Sequence, residues 1–203
     1  MPPRDLLVRA LHALHPAPSL APWNLSQLDD LLPPGEPLRP AAVLIGLREH
    51  ARGTAVLLTR RQDALRHHAG QISFPGGRVD DGESPLRAAL READEEVGVP
   101  ASAIEPLGWL DPYATITGFH VYPLVARLDP DAPLRPCADE VAEAFEVSLD
   151  FLMDPASARD VPVEWRGRVR ALVEFQWNEH RIWGATAAML VNLRERLRAA
   201  GAG

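Results

Sequence analysis

Residues 83–99 read Glu83-Ser84-Pro85-Leu86-Arg87-Ala88-Ala89-Leu90-Arg91-Glu92-Ala93-Asp94-Glu95-Glu96-Val97-Gly98-Val99. A hydroxyl followed by proline marks a helix start. Ser84 can cap the first free amides, and Pro85 takes the first helical position, where a missing N–H costs nothing. Gly98 suits the left-handed residue that closes a helix. At about 100° per residue, Leu86, Ala89, Leu90, Ala93 and Val97 fall within one arc of roughly 100°, which predicts the buried stripe. Glu92, Glu95 and Glu96 fill a second arc of about the same width beside it. Clusters of this kind are ordinarily solvated faces. Here, however, like charges stand at i, i+4 and near the helix C-terminus, the wrong end of the dipole for anions. A divalent cation relieves both penalties, and carboxylate oxygens are the ligands that Mg²⁺ and Mn²⁺ prefer.

Strand patterns flank this helix on both sides. Before it come Ala41–Leu47 and Thr54–Arg60, with a polar turn at Gly53 between them, then a long polar loop, Gln62–Asp81. After it, Ile104–Leu110, Phe119–Leu128 and Val141–Val147 read as strands. Val169–Trp177 and Arg181–Trp183 read as a hairpin, and Thr186–Ala199 as a closing helix. Strands on either side of a central helix, with another helix at the end, predict an α/β fold: a mixed β-sheet with helices on its faces. Residues 1–36 read as a separate feature. Leu6, Leu7, Ala10, Leu11 and Leu14 recur at helical spacing within Met1–His15, and a proline-rich connector follows, with one short helix around Ser26–Leu32. The expected division is an N-terminal helix and connector packed on the domain (1–36), then the domain itself (37–203).

Composition narrows the function. The 203 residues, 46% hydrophobic and 24% charged, suit one globular domain. A net charge of −7 argues against a broad nucleic-acid surface, which requires a basic face. All 21 basic residues are arginine, a compositional bias that weakens any argument from arginine count alone. One cysteine, Cys137, cannot form an intrachain disulfide and points to a reducing compartment. No apolar run approaches the roughly 20 residues that span a bilayer, and the N-terminus has no uncharged secretory core, so the expected location is the cytoplasm.

The sequence around the helix is more specific. From Gly77 the chain runs through five residues to Glu83, seven more to Arg91-Glu92-Ala93, then Glu95-Glu96 and Gly98-Val99. This resembles the Nudix box, Gly-x5-Glu-x7-Arg-Glu-U-x-Glu-Glu-x-Gly-U, where U is a bulky aliphatic residue; only Ala93 departs, being small. The resemblance implies a Nudix-type α/β/α sandwich and metal-dependent cleavage of a phosphoanhydride. It implies Glu92 and Glu96 as ligands of Mg²⁺ or Mn²⁺, with Glu95 as a further ligand or as the base. Arg91 would hold one of these carboxylates in place, Glu83 would join the acidic set, and Gly77 would let the loop pass close to the helix.

The substrate is suggested by the segment upstream. Leu57, Leu58, Thr59, Arg61, Arg66, Gly70, Phe74, Pro75, Gly76 and Gly77 match the pattern Leu-Leu-Thr-x-Arg-[Ser/Ala]-x3-Arg-x3-Gly-x3-Phe-Pro-Gly-Gly of the coenzyme A pyrophosphatase subfamily; Gln62 does not. Thr115–Phe119 and Ile182–Thr186 are similar to that subfamily too. The resemblance implies a small-molecule substrate, coenzyme A or a derivative, cut to adenosine 3′,5′-bisphosphate and 4′-phosphopantetheine. The substrate-binding residues it implies are Arg60, Arg61, Arg66, Gly76 and Gly77, and an arginine cluster suits a ligand with an extra 3′-phosphate. His67 and His68 read as surface residues; Phe74, Trp109 and Tyr113 read as core, and His120 as structural or a pocket wall. The alternative is another nucleoside diphosphate derivative, such as ADP-ribose, NADH or a dinucleoside polyphosphate. A more remote one is a non-catalytic module of the same fold. The sequence leaves the oligomeric state open.

Overall fold

The structure, a computed structural model, describes residues 2–33, 35–62, 70–165 and 167–201. In chain order its first half comprises α1 (Arg4–Ala10), β1 (Arg39–His50), β2 (Gly53–Arg61), β3 (Ile72–Ser73), β4 (Gly76–Arg78) and α2 (Pro85–Val97). The second half comprises β5 (Ile104–Trp109), β6 (Tyr113–Ala114), β7 (Phe119–Leu128), β8 (Val141–Ser148), α3 (Leu149–Met153), β9 (Ala158–Trp165), β10 (Arg168–Trp177), β11 (His180–Trp183) and α4 (Gly184–Gly201).

Alternation along the central strands decides which side chains meet which layer. On β1, Ala42 and Leu44 join Leu57, Leu124 and Ala126 beneath α2. Ala41, Ile45 and Leu47 point the other way and join Val56, Leu58 and Val125 beneath α4. Both faces of the sheet are therefore covered, and the layers are helix, sheet, helix. The sheet is mixed: β7 runs parallel to β1 from Arg39↔Phe119 to Arg48↔Leu128. β2, β4, β5, β6 and β8 all pair antiparallel with their neighbours. A second antiparallel sheet, β9-β10-β11, adds Phe175 and Ile182 to the α4-side core.

Two sequence expectations change. The N-terminal helix is only seven residues, because from His12 the chain is extended and bridges Trp109 through two backbone hydrogen bonds of 2.9 and 3.1 Å. The expected helix near Ser26–Leu32 reduces to a single 3-10 turn at Leu25–Gln27. Strand β9 went unread because its apolar alternation is short, Val161, Val163 and Trp165, and Pro162 stands within it. The N-terminal segment packs on the domain through Leu7, Ala10 and Leu11, all buried in the core that includes Leu193 and Leu197 of α4. Trp109 Nε1 donates to the Leu14 carbonyl at 2.9 Å, and Asn24 exchanges two 2.8 Å hydrogen bonds with the backbone of Ala114. Leu7→Ala should lower unfolding free energy by roughly 2–4 kcal/mol in urea denaturation, the cost of a core cavity. A loss below about 0.5 kcal/mol, as at surface sites, would mean that this segment merely rests on the domain.

Candidate active site

Helix α2 is capped as its sequence suggests. Ser84 Oγ accepts from Arg87 N at 3.3 Å, and Gly98 adopts φ 67°, with its N–H and that of Val99 closing on Asp94 and Ala93. Its buried face, however, is rotated from the expected stripe. Ala88, Ala89, Ala93, Glu96 and Val97 are buried, whereas Leu86 and Leu90 are only half-buried. Small side chains let the helix lie close on β1 and β4, and the leucines flank the contact. Ala93, the one departure from the box, is fully buried there. The rotation carries Glu96 into the middle of the interface.

The glutamates consequently occupy different environments. Glu96 is 3% exposed, and its Oε2 accepts one backbone hydrogen bond, from Gly76 N at 3.3 Å. Arg61 Nη1 stands 3.7 Å from its Oε1, beyond hydrogen-bond range. Desolvation outweighs both contacts and pushes the Glu96 carboxyl up to about 7. The side chain of Glu92 is 15% exposed, and burial raises its carboxyl in spite of a 2.8 Å bond from Arg91. Gly77 is required beside it, since a Cβ there would collide with the Glu92 carboxylate. Gly76 is confined as well, by the backbone of Ala42 and Val43.

Arg91 gathers the remaining carboxylates. Its Nε and Nη2 grip Glu83 at 3.1 and 3.0 Å, while its Nη1 donates to Glu92 at 2.8 Å and to Glu95 at 2.9 Å. Nη2 also donates to the Arg78 carbonyl, tying α2 to β4. This fork holds Glu83 below the usual carboxylate range. Glu95 has a 57% exposed side chain and reaches solvent. Among the described residues no three carboxylate, imidazole or thiol groups converge on one point. Arg91 draws Glu83, Glu92 and Glu95 to one side, and Glu96 stands beside Gly76 and Arg61.

The structure places the other predicted residues as follows. Arg61 faces Glu96, but Arg60 points to the opposite face of β2, where its Nε lies 3.9 Å from Glu143. Gly76 and Gly77 line the glutamates; Arg66, His67 and His68 lie outside the described residues. Phe74 and Trp109 are fully buried core, and Tyr113 is half-buried against Trp23. His120, half-buried, stacks on Tyr122, and burial lowers its pKa. One carboxylate was missed. Glu140, in the turn before β8, is close enough that its charge raises both Glu92 and Glu96. Its loop is tied to the site, since Cys137 N donates to the Glu96 carbonyl and Gln62 N to the Glu140 carbonyl. No sequence pattern links a turn residue to a helix 44 positions earlier.

The donor set fits a hard divalent cation. Glu92 and Glu96 are carboxylates withdrawn from water with too little positive charge to balance them, a deficit that a cation would offset. The NUDIX domain family matches residues 37–165, and the chain belongs to that family. It is 38% identical over 178 residues to the uncharacterized Nudix hydrolase NudL of Escherichia coli K12, covering 82% of this chain and 92% of that protein. The NudL protein of Shigella flexneri is 40% identical over 161 residues, covering 78% and 83% of the two chains. Among solved structures, a MutT/nudix family protein from Enterococcus faecalis superposes with TM-score 0.51 at 18% identity, over 83% of this chain and 65% of its own. A protein from Deinococcus radiodurans superposes with TM-score 0.50 at 17% identity, over 80% and 90%. The protein is thus a Nudix pyrophosphatase, and enzymes of this family use divalent metal ions.

The raised Glu96 carboxyl makes metal-free stability depend on pH. Protonated Glu96 favours the fold fully below about 4.5, and that contribution is lost as pH rises through about 7. At about 1.4 kcal/mol per pH unit the loss amounts to about 3 kcal/mol. In EDTA, Glu96→Gln should therefore be more stable than wild type at pH 8 and nearly equal to it at pH 5. The comparison is read from thermal melts. A stability difference that does not change between the two pH values would contradict the assignment.

Proposed function

We propose that this enzyme hydrolyses coenzyme A and its derivatives to adenosine 3′,5′-bisphosphate and 4′-phosphopantetheine. The observation that carries the reading is the course of the segment resembling the coenzyme A pyrophosphatase pattern. It begins at Leu57 on β2, brings Arg61 beside Glu96, and ends at Gly76 and Gly77, the glycines that lie against Glu96 and Glu92. The residues bearing the substrate resemblance therefore border the residues bearing the chemistry.

In this reading Glu92 and Glu96 hold Mg²⁺ or Mn²⁺, with Glu95 as a further ligand. A bound divalent ion supplies charge neutralisation on the diphosphate and a more acidic attacking water. Arg91 fixes Glu83, Glu92 and Glu95 so that the carboxylates need not reorganise during turnover. Arg61 Nε is buried without a hydrogen-bond partner among the described residues, and Nη1 stands 3.7 Å from Glu96, so the guanidinium pairs with Glu96 yet keeps a donor that a phosphate oxygen would satisfy. Glu95, exposed and steadied by Arg91, and Glu140, on its tethered loop, are the two carboxylates placed to take the proton from water. Gln62, the departure from the subfamily pattern, donates its side-chain amide to the Ala138 carbonyl at 2.8 Å. It thus serves the Glu140 loop, which reduces its weight in favour of ADP-ribose, NADH or dinucleoside polyphosphates. The single free Cys137 fits a reducing, cytoplasmic setting.

A panel of coenzyme A, ADP-ribose, NADH and a diadenosine polyphosphate, with Mg²⁺ and with Mn²⁺, tests the reading. Coenzyme A should show a kcat/KM at least about tenfold above the others, a difference of about 1.4 kcal/mol in transition-state binding. Faster cleavage of ADP-ribose or NADH would overturn it. Arg61→Ala should lower kcat/KM for coenzyme A on the order of 100-fold; unchanged kinetics would remove Arg61 from the site.

A further inference from the structure

We propose that Arg39, Arg78 and Phe119, with the Thr115–Gly118 turn, form a site for a phosphate monoester on the face of β4 opposite the glutamates. Taking that monoester to be the 3′-phosphate of the substrate nucleotide rests on the coenzyme A reading. Arg78 directly follows Gly77, and strand alternation sends their side-chain directions to opposite faces. The register fixes this: Gly77 pairs with Ala42 beneath α2, and Arg78 pairs with Ala41 beneath α4. Arg39, two residues before Ala41, lies on the Arg78 face and pairs with Phe119 of β7.

Both guanidiniums converge on the Phe119 ring, Arg39 at 4.2 Å and Arg78 at 5.5 Å from its centroid. Cation–π attraction accounts for either one alone, but two like charges on one ring repel. Among the described residues neither forms an ion pair with a carboxylate, although the chain carries a net charge of −7. The other arginines around the site are engaged: Arg60 with Glu143, Arg61 with Glu96, and Arg91 with three glutamates. Arg39 is also held in place, since its Nη2 donates to the Thr117 carbonyl at 3.0 Å. The turn behind it is braced by Gly118 N to Thr115 O at 3.0 Å, by Phe119 N to Thr115 Oγ1 at 3.1 Å, and by a 2.9 Å contact between the two threonine hydroxyls.

A phosphate monoester dianion removes the repulsion and matches the guanidinium fork. Reach is not an obstacle. Gly77 and Arg78 are consecutive residues, with Cα atoms about 3.8 Å apart. Among the described strands β4 pairs only with β1, so no further paired strand separates its two faces at the other edge. One substrate can pass around that edge, with its diphosphate at Glu92 and Glu96 and its monoester between Arg39 and Arg78.

The test compares wild type with the double variant Arg39→Gln/Arg78→Gln in two arms. In turnover, the variant should raise KM for coenzyme A at least tenfold and leave dephospho-coenzyme A within twofold of wild type. Equal effects on both substrates, or none, would overturn the site. In calorimetric binding, wild type should prefer adenosine 3′,5′-bisphosphate to AMP, and the double variant should lose that preference. No preference in wild type, or one that the variant retains, would also overturn it. If wild type cleaves neither coenzyme, the coenzyme A reading fails, and the binding arm still decides the site. Arg39→Lys/Arg78→Lys, which keeps the charges, should recover part of the preference.

Discussion

Glu96 is a carboxylate placed in the contact between a helix and a sheet, where among the described residues only one backbone N–H and one arginine at 3.7 Å offset its lost hydration. Much of the surrounding structure makes that placement possible. Ala88, Ala89 and Ala93 let α2 descend onto β1, and Gly76 and Gly77 bring β4 beneath it without a side chain in the way. Arg61 sits at the end of β2 with one nitrogen toward the carboxylate and another unpartnered among the described residues. A protein that needed only stability would fill this niche with an aliphatic residue. Keeping a carboxylate there makes physical sense when a cation completes the site.

The remaining acidic residues are arranged around a different principle. Arg91 pairs with Glu83, Glu92 and Glu95 and donates to the Arg78 carbonyl as well, so a single guanidinium spends nearly all its donors on organising the site. Glu92 stands between the two regimes, half in the arginine cluster and half in the desolvated niche, and burial decides its direction. Charge is thereby graded from solvent at Glu95 to the interior at Glu96. Such a gradient lets one helix carry both desolvated carboxylates and a group free to exchange protons with water.

Much of this was legible in the sequence, and the reasons for the rest are specific. The caps of α2 and the strands β1, β2, β5, β7 and β8 declare themselves because each carries either a fixed local signal or an apolar pattern facing a real core. The set Glu92, Glu95 and Glu96 follows from helical spacing, but spacing cannot tell which of them is buried. That depends on alanines allowing the helix to roll toward the glutamates, a matter of tertiary fit. Arg60 and Arg61 look equivalent as neighbours, yet a strand sends them to opposite faces, one to Glu143 and the other to Glu96. Glu140 and the pairing of Arg39 with Phe119 depend on contacts between distant segments, and the alternation of β9 is short and interrupted by Pro162. The glutamate arrangement was local in sequence; the contacts that join distant segments around it were not.

The central claim is that Glu96 keeps its proton in the metal-free enzyme up to about pH 7, and would give it up on becoming a ligand when a cation binds. Metal binding must then expel its proton. Titrating Mn²⁺ into metal-free enzyme at pH 6, in two buffers of different ionisation enthalpy, counts that proton calorimetrically. The account requires release of about one proton per ion at pH 6 and almost none at pH 8.5, as follows for a carboxyl near 7. Binding at pH 6 without proton release would show that Glu96 is already ionised, or is not a ligand, and would contradict the account.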